Sequence, residues 1–393
     1  MRRSRLPAGG ANIFQKIRGK RAEAEAAGQK LLDLSIGEPK GPALSSARQA
    51  AAAAVLSDDE SMHAYQYNDS AAVPDFSRRF VRAHLKKAIA DEDLDYLPIS
   101  GIKPILGLLP LACDCAREPI TVATMTKPGY PIPADWCDYH VNVGHYALAL
   151  NAGNGFRFAV ADIAANTDLI MTNYPHNPSG QIAQAAWWRQ LCQYCSDHDI
   201  RLFNDAAYIS LSHSEDSIAL SEIAAGYPEL SWAEGFTAAK LIGNGTGWHV
   251  GAMVGSADFI SDMKEVKGKT DAGFVAPMAA GVIAALENDQ SGIAQFRAMY
   301  RRRLDLLMAL MTACGMRPAS QPGAGVYTLW ETPSEAFGER VGSAEQFNFM
   351  MIENTGVVGV HFGDFLRYAV CADVGAMQEN LKAAFEAAAV SYD

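Results

Sequence analysis

An α/β protein with a mostly parallel central sheet in a three-layer sandwich, followed by a smaller α+β unit, is the fold class that the 393-residue sequence predicts. Three observations lead there. Short apolar runs of strand length alternate with amphipathic stretches through the middle of the chain, the pattern of βαβ units. Polar residues stand where those strands should end: Asn173 follows LIMT and Asp205 follows RLFN. In parallel sheets a ligand site lies outside the carboxyl ends of the strands. The last hundred residues then change pattern, from alternating units to a long helix followed by isolated strands.

Taken in order, residues 1–21 hold seven Lys/Arg (Arg2, Arg3, Arg5, Lys16, Arg18, Lys20, Arg21) and no acid. A transit peptide or a polyanion-binding arm would explain them. The segment lacks a signal-length apolar stretch and is not Ser-rich, so a solvated amino-terminal arm is the favoured reading. The Ala-rich stretch Ala47–Val55 is a helix rather than a spacer. ITVATM (120–125), DLIMTN (168–173), RLFND (201–205) and VGAMVGS (250–256) are buried strands, and QAAWWRQLCQYCSDHD (184–199) is the helix between two of them. A long helix runs from about Gln290 to Cys314, with Gly315 suited to its C-cap. GVYTLWE (325–331) and FLRYAVCA (365–372) are strands, and 375–389 is a closing helix. The expected organisation is an amino-terminal arm with part of a small domain over 1–44, a large domain over 45–285, and the rest of the small domain over 286–393. At about 150 residues per domain the length allows this.

Composition narrows the function. Hydrophobic residues are 49% and charged residues 20%, ordinary for a globular protein. No apolar run reaches the roughly 18 residues that span a bilayer, so no membrane partner is expected. A net charge of −11 argues against nucleic acid as a partner. Seven cysteines form no regular framework. Cys113/Cys115 and Cys192/Cys195 have the look of ligand pairs, but the second pair falls within a helix and no second CxxC or HExxH accompanies them. Reduced thiols in a cytoplasmic protein, and no metal site, are the expectation.

Several segments carry residues suited to chemistry. Asp205 in FNDAAY (203–208) is a carboxylate at the end of a buried strand, costly unless paired. It would serve as a fixed anion that keeps a heterocyclic nitrogen protonated, or as a cap or turn residue. In NYPHNPSG (173–180), the Tyr174–Pro175 and Asn177–Pro178 steps restrict the backbone and Gly180 releases it. The result is a stiff turn aiming Asn177, or an ordinary surface turn. Lys240 in GFTAAKLIGNGTGWHVG (235–251) precedes a glycine-rich loop that enters a strand. A lysine there can form a Schiff base when its pKa is lowered, or be solvated. GNGTGW is not a dinucleotide fingerprint, because the third glycine position falls on Trp248. Gly268-Lys269-Thr270 is not a P-loop, since Met263 stands at the first glycine position. SGIK (100–103) precedes a helix, where backbone N–H groups suit phosphate.

In their joint order, from LLDLSIGEP (31–39) to FLRYAV (365–370), these segments resemble the class I and II aminotransferases, the fold-type I enzymes dependent on pyridoxal 5′-phosphate. The most specific pieces are NYPHNPSG, DAAY and a lysine before a Gly-Trp-x-x-Gly strand. The resemblance implies that Lys240 holds the cofactor as a Schiff base and later moves the proton between substrate Cα and cofactor C4′. Asp205 would pair with the pyridine nitrogen, while Tyr208 and Asn177 would hydrogen-bond the 3′-oxygen. Tyr130, in KPGYP, matches the aromatic stacked on the ring. Gly101, Ile102 and Lys103 match the phosphate-binding turn, and Thr237 a phosphate-binding hydroxyl. Tyr67, in YQYND, matches a tyrosine that reaches the phosphate of the neighbouring subunit of a homodimer. Arg367 matches the clamp on the substrate α-carboxylate, a task its planar fork suits, and Gly37 the loop that closes over it.

Two departures stand out. The family usually has an arginine eight residues after the lysine; here that position is Trp248, and His249 follows one apparent inserted residue. His249 takes the arginine's place as a shorter and only sometimes charged ligand, so phosphate binding would lean on Thr237, Lys103 or another lysine such as Lys269. The stretch VVGVHFGDFLR before Arg367 is also shorter than the loop relatives often carry there, which implies a different substrate-side pocket. The implied function is ping-pong amino transfer between an L-amino acid and a 2-oxo acid. The same constellation supports β-elimination at a C–S bond or decarboxylation, because the cofactor carries the hard chemistry. A third class, a sensor with a winged-helix domain ahead of the aminotransferase-like part, is not expected, since SIGEP already ends at residue 39.

Overall fold

A computed structural model describes residues 13–68, 71–90, 92–271 and 273–393. After a short strand β1 (Leu32–Asp33), seven strands build the central sheet: β2 (Leu94–Ile99), β3 (Ile120–Thr124), β4 (Val143–Ala147), β5 (Leu169–Thr172), β6 (Arg201–Asp205), β7 (Trp232–Thr237) and β8 (Gly251–Ser256). Their spatial order is β2-β8-β7-β6-β5-β3-β4. All neighbours run parallel except β8, which is antiparallel to both β2 and β7. The predicted α/β class with a mostly parallel sheet therefore holds.

The strands are apolar on both faces because helices cover both. Along β5, Leu169 and Met171 join one apolar cluster and Ile170 the opposite one. Successive side chains of a strand point to opposite faces, so continuous apolar runs mark a sheet buried on both sides. Helix Ala185–Asp197 buries Trp188, Leu191, Cys192 and Cys195 against one face, at spacings of three and four that form one stripe. Helix Ala257–Lys267 buries Phe259, Ile260 and Met263 against the other. The Ala-rich stretch forms helix Ser45–Val55, packed on helix Ala276–Asn288. Small residues make that approach possible: a Cβ at Gly281 would lie 2.6 Å from the Ala47 carbonyl oxygen.

The carboxyl-terminal part follows the long helix Gln290–Ala313. It contains β9 (Tyr327–Glu331), the hairpin of β10 (Glu335–Ala336) and β11 (Glu339–Arg340), β12 (Val357–Val358), β13 (Val360–Phe362) and β14 (Phe365–Ala369). An antiparallel sheet ordered β13-β14-β9 is covered by helices Ala344–Thr355 and Gln378–Ala388. Strand β1 pairs in parallel with β12, which ties the beginning of the chain to its end.

The solvated-arm expectation needs correction for its described residues. Ile13–Ala26 is a helix that buries Ile17 and Ala24 beside Ile352, Val358 and Val360. Lys16 reaches Glu345 at 2.7 Å, Lys20 reaches Glu353 at 2.8 Å and Arg21 reaches Asp33 at 3.1 Å. Lys16 and Lys20 are thus matched to acids of the helix they pack on, and Arg21 to the acid of β1. Arg2, Arg3 and Arg5 lie outside the described residues. All seven cysteines are free thiols. Among the described residues no helix is long and apolar enough to cross a membrane, and no cluster of His, Cys, Asp or Glu could hold a metal.

Candidate active site

Strands β5, β6 and β7 are adjacent and parallel, so their carboxyl ends lie side by side. Asn173 follows β5, Asp205 ends β6, and Lys240 follows β7 in a single helical turn, Ala238–Lys240. A buried polar network fixes these ends. The Asn204 amide donates to the Tyr174 carbonyl (3.0 Å) and to Glu234 (2.7 Å), and its oxygen accepts from Thr172 and Tyr174 at 2.9 Å. Glu234 also accepts the Leu220 and Ser221 backbone N–H groups at 3.0 and 2.8 Å. Burial raises the Glu234 carboxyl above its ordinary value, and these bonds oppose the rise.

Asp205 is buried, and burial pushes its carboxyl up to about 6. One oxygen accepts the Ala207 N–H at 3.0 Å; among the described residues the other has no partner. The Asn173 amide holds the Asp205 carbonyl at 2.9 Å. Tyr130, Asn173 and Asp205 line one small cavity with Met125, Thr126 and Pro133. Burial, with the Asp205 charge second, raises the Tyr130 phenol. Lys240 is also buried, with no ion-pair or hydrogen-bond partner among the described residues, and burial drives its ammonium toward the neutral amine.

Arg367 is only 3% exposed. It donates to the Asn177 side-chain oxygen at 3.1 Å and to the Ser35 carbonyl at 2.7 Å. Its Nε is buried without a partner, and no carboxylate faces the guanidinium among the described residues. A buried cation held only by neutral groups is costly, and an anion that joins it offsets that cost. The guanidinium lies 4.2 Å from the ring centroid of Tyr327 and 5.0 Å from that of Phe362. The Tyr327 hydroxyl in turn meets the Tyr208 hydroxyl at 2.8 Å. Gly37 closes over this cluster: a Cβ there would lie 1.7 Å from the Tyr327 hydroxyl, so only glycine fits. Asn173 holds the Asn177 backbone N–H at 3.0 Å, which completes a continuous chain of contacts from Asp205 to Arg367.

The residues expected at the phosphate are placed less uniformly. Gly101 caps helix Ile102–Leu106 with φ of +113°, a conformation that favours glycine. Ile102 sends its side chain into the core against Gly235, leaving only its backbone for a ligand. Lys103 is exposed on the same turn. Thr237 caps the Lys240 turn by accepting the Ala239 N–H at 3.2 Å. His249 is exposed, and its Nδ1 lies 3.3 Å from the Ser100 carbonyl, beside the Gly101 turn. Tyr67 stands apart from all of these. It is 62% exposed, packed by its backbone on Gly273 and beside Tyr65.

Sequence reasoning missed Tyr327 and Ser35. Tyr327 sits inside the predicted strand 325–331, where an aromatic reads as core. Its strongest signal was its place after the glycines of PGAGVY. Ser35 contributes a carbonyl, which any residue type supplies, so nothing in its identity marked it.

Aminotransferase class I and II is the family whose model matches residues 29–386. The chain belongs to the class I and II aminotransferases. Among relatives, it is 28% identical to an LL-diaminopimelate aminotransferase of Syntrophobacter fumaroxidans, covering 94% of each chain. It is 27% identical to one of Dehalococcoides mccartyi, covering 88% of this chain and 86% of the relative. Among solved structures, an aspartate aminotransferase from Rhizobium meliloti superposes with a TM-score of 0.84 at 21% identity, covering 100% of both chains, which speaks for the fold. This aminotransferase depends on pyridoxal 5′-phosphate, as its family does. Its site fits that group. Among the described residues Asp205 keeps one carboxylate oxygen without a partner at the small cavity it lines, Lys240 is a buried lysine without an ion-pair partner, and the two stand at neighbouring strand ends.

Proposed function

We propose that this aminotransferase carries its chemistry on Lys240, Asp205 and Tyr208. Asn177, Tyr130, Gly101, Ile102, Lys103, Thr237 and His249 complete the cofactor site, and Arg367, Gly37 and Asn177 hold the substrate. Bound pyridoxal 5′-phosphate supplies the electron sink. Asp205 places a negative charge at the ring nitrogen and keeps it protonated. That cation in turn stabilises the Asp205 carboxylate, which burial alone disfavours. Lys240, biased toward the neutral amine, is able to attack a carbonyl carbon and afterwards to take and return the substrate Cα proton. Tyr208 and Asn177 hold the 3′-oxygen. Burial raises the Tyr208 phenol well above its ordinary value, so Tyr208 stays a donor throughout the working range. Arg367 fixes the α-carboxylate through its unpartnered edge.

The observation that carries the assignment is the buried, uncompensated Lys240 one strand away from the buried, half-bonded Asp205. The names of the relatives support LL-diaminopimelate as the first donor to test, with a 2-oxo acid as acceptor. They also favour amino transfer over β-elimination or decarboxylation. The exposed Tyr65, Tyr67, Val55, Leu56 and Val275 support a homodimer in which Tyr67 serves the partner's site, and the cytoplasm is the location we assign to it. Functionally we divide the chain into 1–44, 45–285 and 286–393. Borohydride reduction of the loaded protein, followed by peptide mapping, should place the cofactor on Lys240. A label on Lys264, Lys267 or Lys269 instead would overturn the assignment. A donor screen with LL-diaminopimelate should yield a new amino acid; ammonia and pyruvate as the products would favour the lyase reading.

A further inference from the structure

Tyr327 joins the two halves of the site. It begins β9 in the smaller part, whereas Tyr208 follows β6 in the larger. Their hydroxyls are 2.8 Å apart and both side chains are buried. Two buried hydroxyls hold two protons, but only one proton lies in the bond between them. The other must leave the pair, or a buried donor goes unmet. Next to the Tyr327 hydroxyl stands Gly37, close enough that a Cβ would overlap the oxygen, and under its ring lies the Arg367 cation. Among the described residues the Tyr327 hydroxyl has no hydrogen-bond partner except Tyr208. Tyr208 has no other partner among the described residues either, so the direction follows from the reading that Tyr208 faces the cofactor's 3′-oxygen: its proton goes there, and the Tyr327 proton fills the bond between the two hydroxyls.

We propose that Tyr327 is a positioning residue with two separable duties. Its hydroxyl donates to Tyr208, making Tyr208 a stronger donor to the bound cofactor, and its ring seats the Arg367 guanidinium for the substrate α-carboxylate. The first duty rests on the reading that Tyr208 faces the cofactor's 3′-oxygen. Hydrogen bonds in a chain polarise one another, and a cation over a desolvated ring is held electrostatically.

The test uses the holoenzyme with Tyr208→Phe, Tyr327→Phe and Tyr327→Leu. One readout is the pH midpoint at which the visible band of the bound cofactor shifts. The second is the KM for the most active donor of the screen. A donor to the 3′-oxygen stabilises its negative charge and so lowers the midpoint. Tyr208→Phe should raise the midpoint by roughly one pH unit, the loss of a charge-assisted bond. Tyr327→Phe should raise it by roughly 0.2–0.5 of a unit, with KM unchanged. Tyr327→Leu should raise it equally and also raise KM by roughly 5- to 30-fold. If the leucine protein does not fold, Tyr327→Met serves the same comparison. A midpoint moved by Tyr208→Phe but not by Tyr327→Phe overturns the hydroxyl duty alone. A midpoint unmoved by Tyr208→Phe overturns the reading of Tyr208, and the hydroxyl duty with it. Equal KM values for Tyr327→Phe and Tyr327→Leu overturn the ring duty.

Discussion

Replacing Asp205 by asparagine should make the cofactor-free protein more stable while removing most of its catalysis. Burial moves the Asp205 carboxyl from an ordinary 3.8 to about 6. A carboxyl raised in the folded state stabilises the fold fully below its unfolded value, and that contribution is lost as pH rises through the folded value. For Asp205 the loss falls between about pH 4 and pH 6. The shift is about two pKa units at 1.36 kcal/mol each, so the ionised group weighs against folding by about 3 kcal/mol at pH 7.5. Asparagine is neutral, nearly isosteric, and still accepts the Ala207 N–H. The expected result is a variant up to about 3 kcal/mol more stable than wild type at pH 7.5, with the difference vanishing near pH 4. Urea unfolding of both cofactor-free proteins across that range measures it. Loading the cofactor should reverse the order, because binding stabilises the protein whose site it fits better. A variant no more stable than wild type at pH 7.5, or a difference independent of pH, would refute the reasoning. Turnover should fall by two to three orders of magnitude, roughly 3–4 kcal/mol of transition-state stabilisation.

Two further predictions concern the substrate and phosphate ends of the site. Gly37→Ala should drive the Tyr327 hydroxyl from its place, costing about 1–3 kcal/mol in thermal unfolding and raising KM for every substrate; an unchanged Tm and KM would mean that the 35–38 loop yields freely. His249→Ala should weaken cofactor retention on dialysis about tenfold with little effect on KM, and Arg367→Ala should do the reverse, at about 2–5 kcal/mol in substrate binding. The opposite pairing of effects would mean that the carboxyl-terminal part of the site is misaligned.

The large sheet was legible because burial on both faces writes itself as uninterrupted apolar runs, such as LIMT and RLF. Asp205 and Asn173 were legible because a polar residue closing such a run has few structural excuses. The edge strands were harder, and so was the central β7, whose WAEGFT run is broken by Glu234 and Gly235. Val143–Ala147 reads VGHYA, half-exposed, with a glycine and a histidine that hide it. The amino-terminal helix was misjudged because its partners, Glu345 and Glu353, lie more than 300 residues away, and no local pattern signals a match at that distance. The cluster around Arg367 was legible as a single residue but not as an assembly. Its other members act through a carbonyl, a missing Cβ and an aromatic ring, none of which depends on a distinctive sequence.

The pairing of β1 with β12 has a consequence for the order in which the protein becomes competent. The Ser35 carbonyl and Gly37 belong to the beginning of the chain, but Leu34 is stitched between Val358 and Ala369, and Arg367 reaches Ser35 across 332 residues of sequence. Contacts of such separation close late, since loop-closure entropy opposes them until the intervening structure exists. On the ribosome, the sheet that carries Lys240 and Asp205 is complete by residue 256, more than a hundred residues before Arg367 emerges. A nascent chain would therefore own the groups that engage a cofactor well before it owns any grip on an amino acid. Leu32–Gly37 wait through almost the whole of synthesis for the strands that give them a purpose.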